Sequence, residues 1–337
     1  MTKQIEVTDG SHVYIGGTDE LLQQLLPEKR VIVISDSNID RTHHDLIAPY
    51  EHILIGQGEQ AKSLATLEEI YRRLIELGAD RSTFILGIGG GIVTDIAGFV
   101  ASTYMRGVEF GFVTTTLLGS VDASVGGKNG VNVGGFKNMV GTFSQPNFVI
   151  CDVALLHSLS DREFRAGLAE VIKTAILGDA ELFEILENTS FDTLRNDNEL
   201  LEEIITHCVR VKASVVAEDE REGGRRRILN LGHTIAHAIE KSSNKMNHGE
   251  AVAVGLYHIT HSSLAQKMIS EGDAGRICAL IEQYGFDTTL PAERKQLLEA
   301  IKGDKKRKGD SLHLILPTAI GSVEDKVVSY NDLEQII

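Results

Sequence analysis

The period of the apolar pattern changes near Asp161, and that change divides the chain into two kinds of structure. Before it, short apolar runs alternate with amphipathic stretches. Val31–Ser35, His52–Ile55, Phe84–Ile88 and Phe110–Val113 are short and bounded by Gly, Asp or Ser. Such runs predict buried strands. Between them, Leu64–Leu77 sets Leu67, Ile70, Tyr71, Leu74 and Leu77 at helical spacing. Strands alternating with helices predict a mostly parallel α/β sheet. After Asp161, the segments 161–177, 180–188, 198–217, 227–241, 249–267 and 273–285 all read as helices. Strand-like runs return only near Leu312–Leu316. The expectation is an α/β domain over residues 1–152 followed by an all-α domain over 153–337, with no repeat or linker, packed around a shared cleft. A chain of 337 residues has room for two domains of ~100–200 residues each.

Charge narrows the partners. Lys and Arg total 33 against 48 Asp and Glu, a net charge of −15. Such a surface repels phosphate backbones and anionic lipid, so neither nucleic acid nor membrane is expected as a partner. An anionic substrate would need a local basic pocket. Cys151, Cys208 and Cys278 are widely spaced and carry no metal-binding pattern, which fits free thiols in a reducing compartment. Residues 1–10 show neither a basic start nor an apolar run, and no stretch approaches the ~18–20 apolar residues of a membrane helix. A soluble, cytoplasmic protein is expected.

Two glycine-rich segments stand out. Gly87-Ile-Gly-Gly-Gly91 follows a strand and opens a helix, where backbone N–H groups and the helix dipole attract a pyrophosphate. Ile92 replaces the third glycine of the usual fingerprint, so a plain tight turn competes with nucleotide binding. The stretch Gly126-Gly-Lys-Asn-Gly130 and Gly134-Gly-Phe-Lys-Asn138 reads as a long irregular loop whose lysines can grip phosphate or carboxylate oxygens.

The helical half carries a metal pattern. In Asn230-Leu-Gly-His233-Thr-Ile-Ala-His237 the two histidines share one helical face, and His248 follows, then Gly249 and Glu250. Gly167-Leu-Ala-Glu170-Val-Ile-Lys173 sets a glutamate and a lysine in an otherwise apolar helix. Two imidazoles, one carboxylate and an open position suit a catalytic zinc. Spacing nominates His233 and His237 as the imidazole pair but leaves open which two histidines bind. The charged run Glu218–Arg227 reads as a solvated linker except that Arg226 lies four residues before Asn230. The basic run Lys302–Lys308 is similarly open between tail and site.

Taken together, GIGGGIVTDIAGFVASTYMRG, TTLLGSVDASVGGKNGVN, FKNMVGTF, GLAEVIKTAI, DEREGGRRRILNLGHTIAHAIE and NHGEAVAVG resemble the 3-dehydroquinate synthase family, from about Asp36 to the last strand. The resemblance implies a homodimer that binds NAD and a divalent metal, zinc or else cobalt. It implies metal ligands at Glu170, His233 and His248, with His237 a substrate contact instead. Nucleotide-side positions are Asp36, Asn38, Glu59, Lys62, Gly90, Gly91, Asp95, Thr115 and Thr116, with Lys128 and Lys137 beside them. Lys128, Asn138, Asn230, His237 and Lys305 or Lys306 match the substrate-phosphate grip, and Lys212 and Arg226 the carboxylate grip. Arg106 matches a residue lent to the partner's phosphate site, while Asp122, Lys137, Lys173 and Glu222 complete the pocket. Thr94, Thr114 and Asn129 depart from the family's usual Gly, Pro and Thr, and the stretch from Glu240 to His248 is short.

The implied reaction converts 3-deoxy-D-arabino-heptulosonate 7-phosphate to 3-dehydroquinate and phosphate, a lyase step of the shikimate pathway to aromatic amino acids. It runs by transient oxidation with NAD, phosphate elimination, reduction and intramolecular aldol closure. The competing readings are a sister cyclase acting on sedoheptulose 7-phosphate, glucose 6-phosphate or an amino analogue, a metal-dependent dehydrogenase related to glycerol dehydrogenase, and a catalytically dead binding protein. Arg226, Asn230 and His237 count against the first for its substrates without the carboxylate (all but the amino analogue), the two anion grips against the second, and intact ligands and lysines against the third.

Overall fold

A computed structural model of the chain describes residues 2–243, 245–302, 310–330 and 332–336. Its strands are β1 (Lys3–Thr8), β2 (Ser11–Ile15), β3 (Val31–Asp36), β4 (Glu51–Ile55), β5 (Phe84–Gly89), β6 (Phe110–Thr114), β7 (Lys128–Val133), β8 (Phe136–Phe143), β9 (Phe148–Cys151), β10 (Ser311–Ala319) and β11 (Ser322–Ser329). Its α-helices are α1 (Thr18–Leu25), α2 (Ser37–Thr42), α3 (His44–Ile47), α4 (Leu64–Glu76), α5 (Gly91–Thr103), α6 (Asp161–Gly178), α7 (Ala180–Glu187), α8 (Phe191–Asn196), α9 (Asn198–Glu218), α10 (His233–Ser242), α11 (His248–Ala265), α12 (Glu271–Gln283), α13 (Arg294–Lys302) and α14 (Leu333–Ile336). Two compact units form, one of residues 1–160 and 212–217, the other of 161–211 and 218–337.

The first unit is built on a seven-stranded sheet of order β1-β2-β9-β6-β5-β3-β4. All its pairs are parallel except β1 with β2. The central strands β5 and β6 are buried along their whole length, which is why their sequences are continuous apolar runs rather than alternating ones. Val33, Leu86, Ile88, Val113 and Ile150 pack one core beneath helix α1 and the α2–α3 turn. From β3 the chain steps outward to β4, then returns past β3 to β5 and proceeds through β6 the other way. The direction of winding therefore reverses between β3 and β5, and ligands of such sheets bind at the strand C-termini where it does.

One expectation fails here. Gly126–Asn138 is not an irregular loop: β7 and β8 pair as an antiparallel ribbon, with Val133 opposite Phe136. Gly134 and Gly135 both have positive φ, +59° and +79°, and together make the two-residue turn that suits the twist of a hairpin. Glycines read as flexibility are here the residues that close the ribbon.

The second unit is helical, with β10 and β11 as an antiparallel hairpin. Residues 227–241 are not one helix. Arg225–Asn230 is a 3₁₀ turn, Gly232 has φ +77°, and α10 starts only at His233. Helices α6 and α11 approach closely because Gly249 lacks a side chain: a Cβ there would lie 2.2 Å from the Ala166 carbonyl oxygen. Arg162 on α6 clamps the same end of α11 through both carboxylate oxygens of Glu250, at 2.7 and 2.8 Å. Asn247 and Glu250 form a reciprocal capping box that starts α11 at His248. Among the described residues, no helix is long and apolar enough to cross a membrane.

Candidate functional site

In the first unit, the parallel sheet gathers the glycine-rich positions on one edge. Asp36 ends β3, Gly90 caps α5 and Gly91 opens it after β5, and Thr115 and Thr116 follow β6. These strands are neighbours, so the three sets share the C-terminal edge on either side of the winding reversal. Asp36 is also an N-cap, accepting the N–H groups of Asn38 and Ile39 at 2.8 and 3.0 Å. Thr115 donates its N–H to Gly89 at 3.0 Å, and Thr116 Oγ1 accepts that of Gly119, also at 3.0 Å. Of the departures from the family pattern, Thr94 returns its hydroxyl to Gly91 (3.1 Å) and Thr114 to Ile150 (3.1 Å), while the Asn129 amide donates to Gly127 and Ser144 at 3.0 Å each. All three are satisfied buried groups.

Two buried ion pairs lie in this unit. Lys62 pairs with Asp95, and Lys212 pairs with Asp122 while also donating to the Asp122 carbonyl at 2.6 Å. Burial raises the Asp95 carboxyl above its ordinary range, with Lys62 pulling against it. Glu59 accepts the Asn132 side-chain amide at 2.7 Å, and Asn132 in turn donates its N–H to the Lys62 carbonyl at 2.9 Å. The ribbon register sets Lys128 opposite Phe143, whereas Lys137 and Asn138 lie near the Gly134–Gly135 turn. Lys128 and Lys137 therefore occupy opposite ends of the ribbon. Arg106 has left-handed backbone, φ +71°, directly after Met105 at φ +48°.

In the second unit, Glu170, His233 and His248 converge, each offering a ligand atom within 4.8 Å of the others. Glu170 is fully buried on α6, and Lys173, one turn later and 2% exposed, pairs with its Oε2. Glu170 Oε1 faces His233 Nε2 at 3.6 Å and His248 Nε2 at 3.1 Å. Each ring is oriented from its other nitrogen. His233 Nδ1 lies 3.0 Å from the Leu231 carbonyl, and His248 Nδ1 lies 3.1 Å from Glu240 Oε1. Both partners are acceptors, so each Nδ1 carries a proton and each Nε2 faces inward, that of His248 toward a second acceptor, Glu170. Burial pushes His233 down to about 3. Burial opposes charge on His248 as well, but hydrogen bonds from Glu170 and Glu240 outweigh it and push that ring up to about 10. His237 is exposed; its ring meets that of His233 edge-on at 5.5 Å and stands outside the group of three. Spacing along one helix paired His233 with His237, whereas the fold supplies its second clustered imidazole from α11.

The charged run after α9 is ordered by one carboxylate. Asp219 accepts the N–H groups of Gly223, Gly224 and Arg226 at 2.9, 2.7 and 3.0 Å. These bonds, that of Arg226 foremost, hold the Asp219 carboxyl below its usual range. The loop holds Arg226, only 1% exposed, donating to the Glu220 carbonyl, while Asn230 donates to Glu222 Oε1 at 2.6 Å. Lys305 and Lys306 lie outside the described residues. Asn132, Asp219 and Glu240 are orienting residues that motif reading did not single out. The signal for Glu240 was present, because it lies seven residues after His233 and so on the same face of α10.

The family model described as 3-dehydroquinate synthase N-terminal matches residues 52–166, and the model described as 3-dehydroquinate synthase C-terminal matches 167–307. A 3-dehydroquinate synthase of Pelobacter propionicus is 44% identical over 85% of this chain and 79% of its own length. One from Pyrococcus abyssi is 43% identical over 90% of this chain and 92% of its own. Among solved structures, 2-deoxy-scyllo-inosose synthase complexed with carbaglucose-6-phosphate, NAD+ and Co2+ superposes with a TM-score of 0.89 at 28% identity, covering 100% of this chain and 99% of that one. Two family models that abut in sequence, and relatives matched over most of both lengths, place the chain in the 3-dehydroquinate synthase family.

Proposed function

We propose that the chain converts 3-deoxy-D-arabino-heptulosonate 7-phosphate to 3-dehydroquinate and inorganic phosphate, using NAD and one divalent metal ion. The observation that carries this reading is the identity of 44% and 43% to 3-dehydroquinate synthases, against 28% to the inosose synthase. The residues fit both groups. Glu170, His233 and His248 present one carboxylate oxygen and two imidazole nitrogens to a common point, a donor set suited to zinc or cobalt with a position left for substrate. The strand edge at Asp36, Gly90 and Thr115 has the form that takes a dinucleotide. When bound, the ion supplies Lewis acidity toward substrate hydroxyls, and NAD supplies a hydride acceptor that is restored within the cycle.

The chain's own side chains bind and orient. Lys173 engages Glu170 Oε2 and so leaves Oε1 to the ion. Lys128, Asn138, Asn230 and His237 are the residues assigned to the substrate phosphate, joined by Lys305 or Lys306. Arg226 and Lys212 hold the carboxylate, with Asp122 setting the position of Lys212 and Glu222 that of Asn230. Asp36, Asn38, Glu59, Lys62 and Asp95 serve the nucleotide, with Lys137 beside them. Fixing both anionic ends lets the departing phosphate take the neighbouring C6 proton without a further base. The working form is a cytoplasmic homodimer in which Arg106 serves the partner's phosphate site. Its left-handed backbone beside Met105, an apolar side chain 43% exposed, supports that role, and three free cysteines suit the compartment. The test is phosphate release from the heptulosonate, with and without NAD and a chelator. Loss of release on removing either group is expected, and release untouched by both would overturn the reading.

A further inference from the structure

The two histidines of the metal group are oriented by unlike partners, and the difference follows from charge. His233 donates Nδ1–H to a neutral carbonyl, that of Leu231, at 3.0 Å. His248 sits between two carboxylates, with Nε2 3.1 Å from Glu170 and Nδ1 3.1 Å from Glu240. The charged neighbours are buried, with side-chain exposure of 0% for Glu170, 2% for Lys173 and 7% for Glu240, whereas the His248 ring is 31% exposed. Lys173 pairs with Glu170, so those two charges offset each other. A divalent ion on the three facing atoms would then draw less compensating charge from Glu170, which is costly where the carboxylate is fully buried. Glu240 is the nearby carboxylate that relieves this without being one of the three.

We infer that Glu240 is a positioning residue for the metal ion: it holds the His248 ring with Nε2 inward and supplies the negative charge that Lys173 withdraws from Glu170. The inference rests on the reading that Glu170, His233 and His248 bind the ion. Orienting carboxylates of this kind strengthen a ligating imidazole, and their removal weakens metal affinity by about 10–100-fold. Glu240 reaches His248 from α10, the helix that also carries His233, so one helix places one imidazole and steers the other.

The experiment is a competition titration of Zn2+ and Co2+ against a chromophoric chelator, on the full chain and on E240A and E240Q. E240A should bind either ion about 10–100-fold more weakly. E240Q keeps volume and an acceptor oxygen but lacks the charge, so it should fall between E240A and the parent. The visible bands of the Co2+ form should shift in both, which general loosening of the fold would not produce. Should E240A fail to fold, E240Q decides alone. Affinity within about twofold of the parent, in E240Q with unchanged far-ultraviolet dichroism, overturns the inference. His248→Ala measured alongside separates two failures. Metal retained there sinks the ligand reading itself, whereas metal lost there but held by both Glu240 variants sinks only the role of Glu240.

Discussion

The side-chain carbonyl of Asn132 accepts the backbone N–H of Asn138 at 2.9 Å, across the ribbon that carries two of the proposed phosphate contacts. Asn138 has φ +49°, a conformation a non-glycine residue holds only when its surroundings fix it. The same Asn132 side chain donates to Glu59 at 2.7 Å. Asn132→Ala removes both bonds. Each partly exposed hydrogen bond is worth about 0.5–1.5 kcal/mol, so roughly 1–3 kcal/mol of stability should be lost. KM for the sugar phosphate should rise more than kcat falls, because the change loosens a binding strand and removes no reacting group. Steady-state kinetics beside thermal unfolding measure both, and an unchanged KM would refute the link.

A second expectation concerns the buried pair of Lys62 and Asp95, whose side chains are 6% and 16% exposed. Lys62→Met leaves Asp95 without its nearest cation and should destabilise the protein by ~3–5 kcal/mol at neutral pH. Adding Asp95→Asn should recover much of that. The Asp95 carboxyl is already raised by burial, and losing Lys62 raises it further. A folded-state pKa above the unfolded one means the native state binds more protons, so stability falls as pH rises through the folded value. The penalty in Lys62→Met should therefore shrink on acidification, and the double variant should lack this trend. Denaturant unfolding at several pH values tests it.

How much of this was legible depends on the kind of signal. Strands β3 and β5 were readable because central parallel strands are apolar throughout, and α4 because its apolar face is regular. Strands β1 and β2 were not, because both alternate polar with apolar residues, with β1 at the sheet edge. The ribbon of β7 and β8 escaped because β8 is largely exposed, and its pairing is set by the Gly134–Gly135 turn rather than by a buried face. The 3₁₀ turn at Arg225–Asn230 mimics a helix start, and what breaks it is the positive φ of Gly232. His248 joins Glu170 through the contact of α6 with α11, which spacing along a single helix cannot reveal.

The ligand reading predicts unlike losses from two neighbouring histidines. His248→Ala should abolish metal retention on gel filtration, since it removes one of three clustered donors. His237→Ala should keep the metal, measured by atomic emission, yet lose activity, because His237 stands outside that group. Equal metal loss in both variants would show that the ligands are misassigned.

Cofactor use separates a cyclase from an ordinary dehydrogenase. Product should accumulate to many equivalents of the bound NAD with no net growth of NADH absorbance. Steady stoichiometric growth of that absorbance would identify net oxidation instead.

In the proposed reaction, substrate choice turns on Arg226. Its guanidinium is 1% exposed, and its backbone is fixed by Asp219 at 3.0 Å, so the charge is held in place before any substrate arrives. One N–H of the guanidinium donates to the Glu220 carbonyl. A substrate carboxylate can meet a guanidinium through two parallel hydrogen bonds. Sedoheptulose 7-phosphate has no carboxylate, so binding it would bury the arginine against a neutral group at a cost of a few kcal/mol. Sites built around a polar group reject analogues lacking it by large factors, so the heptulosonate should be strongly preferred in kcat/KM. Arg226→Ala should lose most activity on the heptulosonate while metal content and NAD binding stay near normal, because the metal group and the strand edge do not include it. Equal turnover of the two sugar phosphates by the unmodified chain would overturn the carboxylate role of Arg226 and the heptulosonate as substrate, and would leave the fold and the metal group standing.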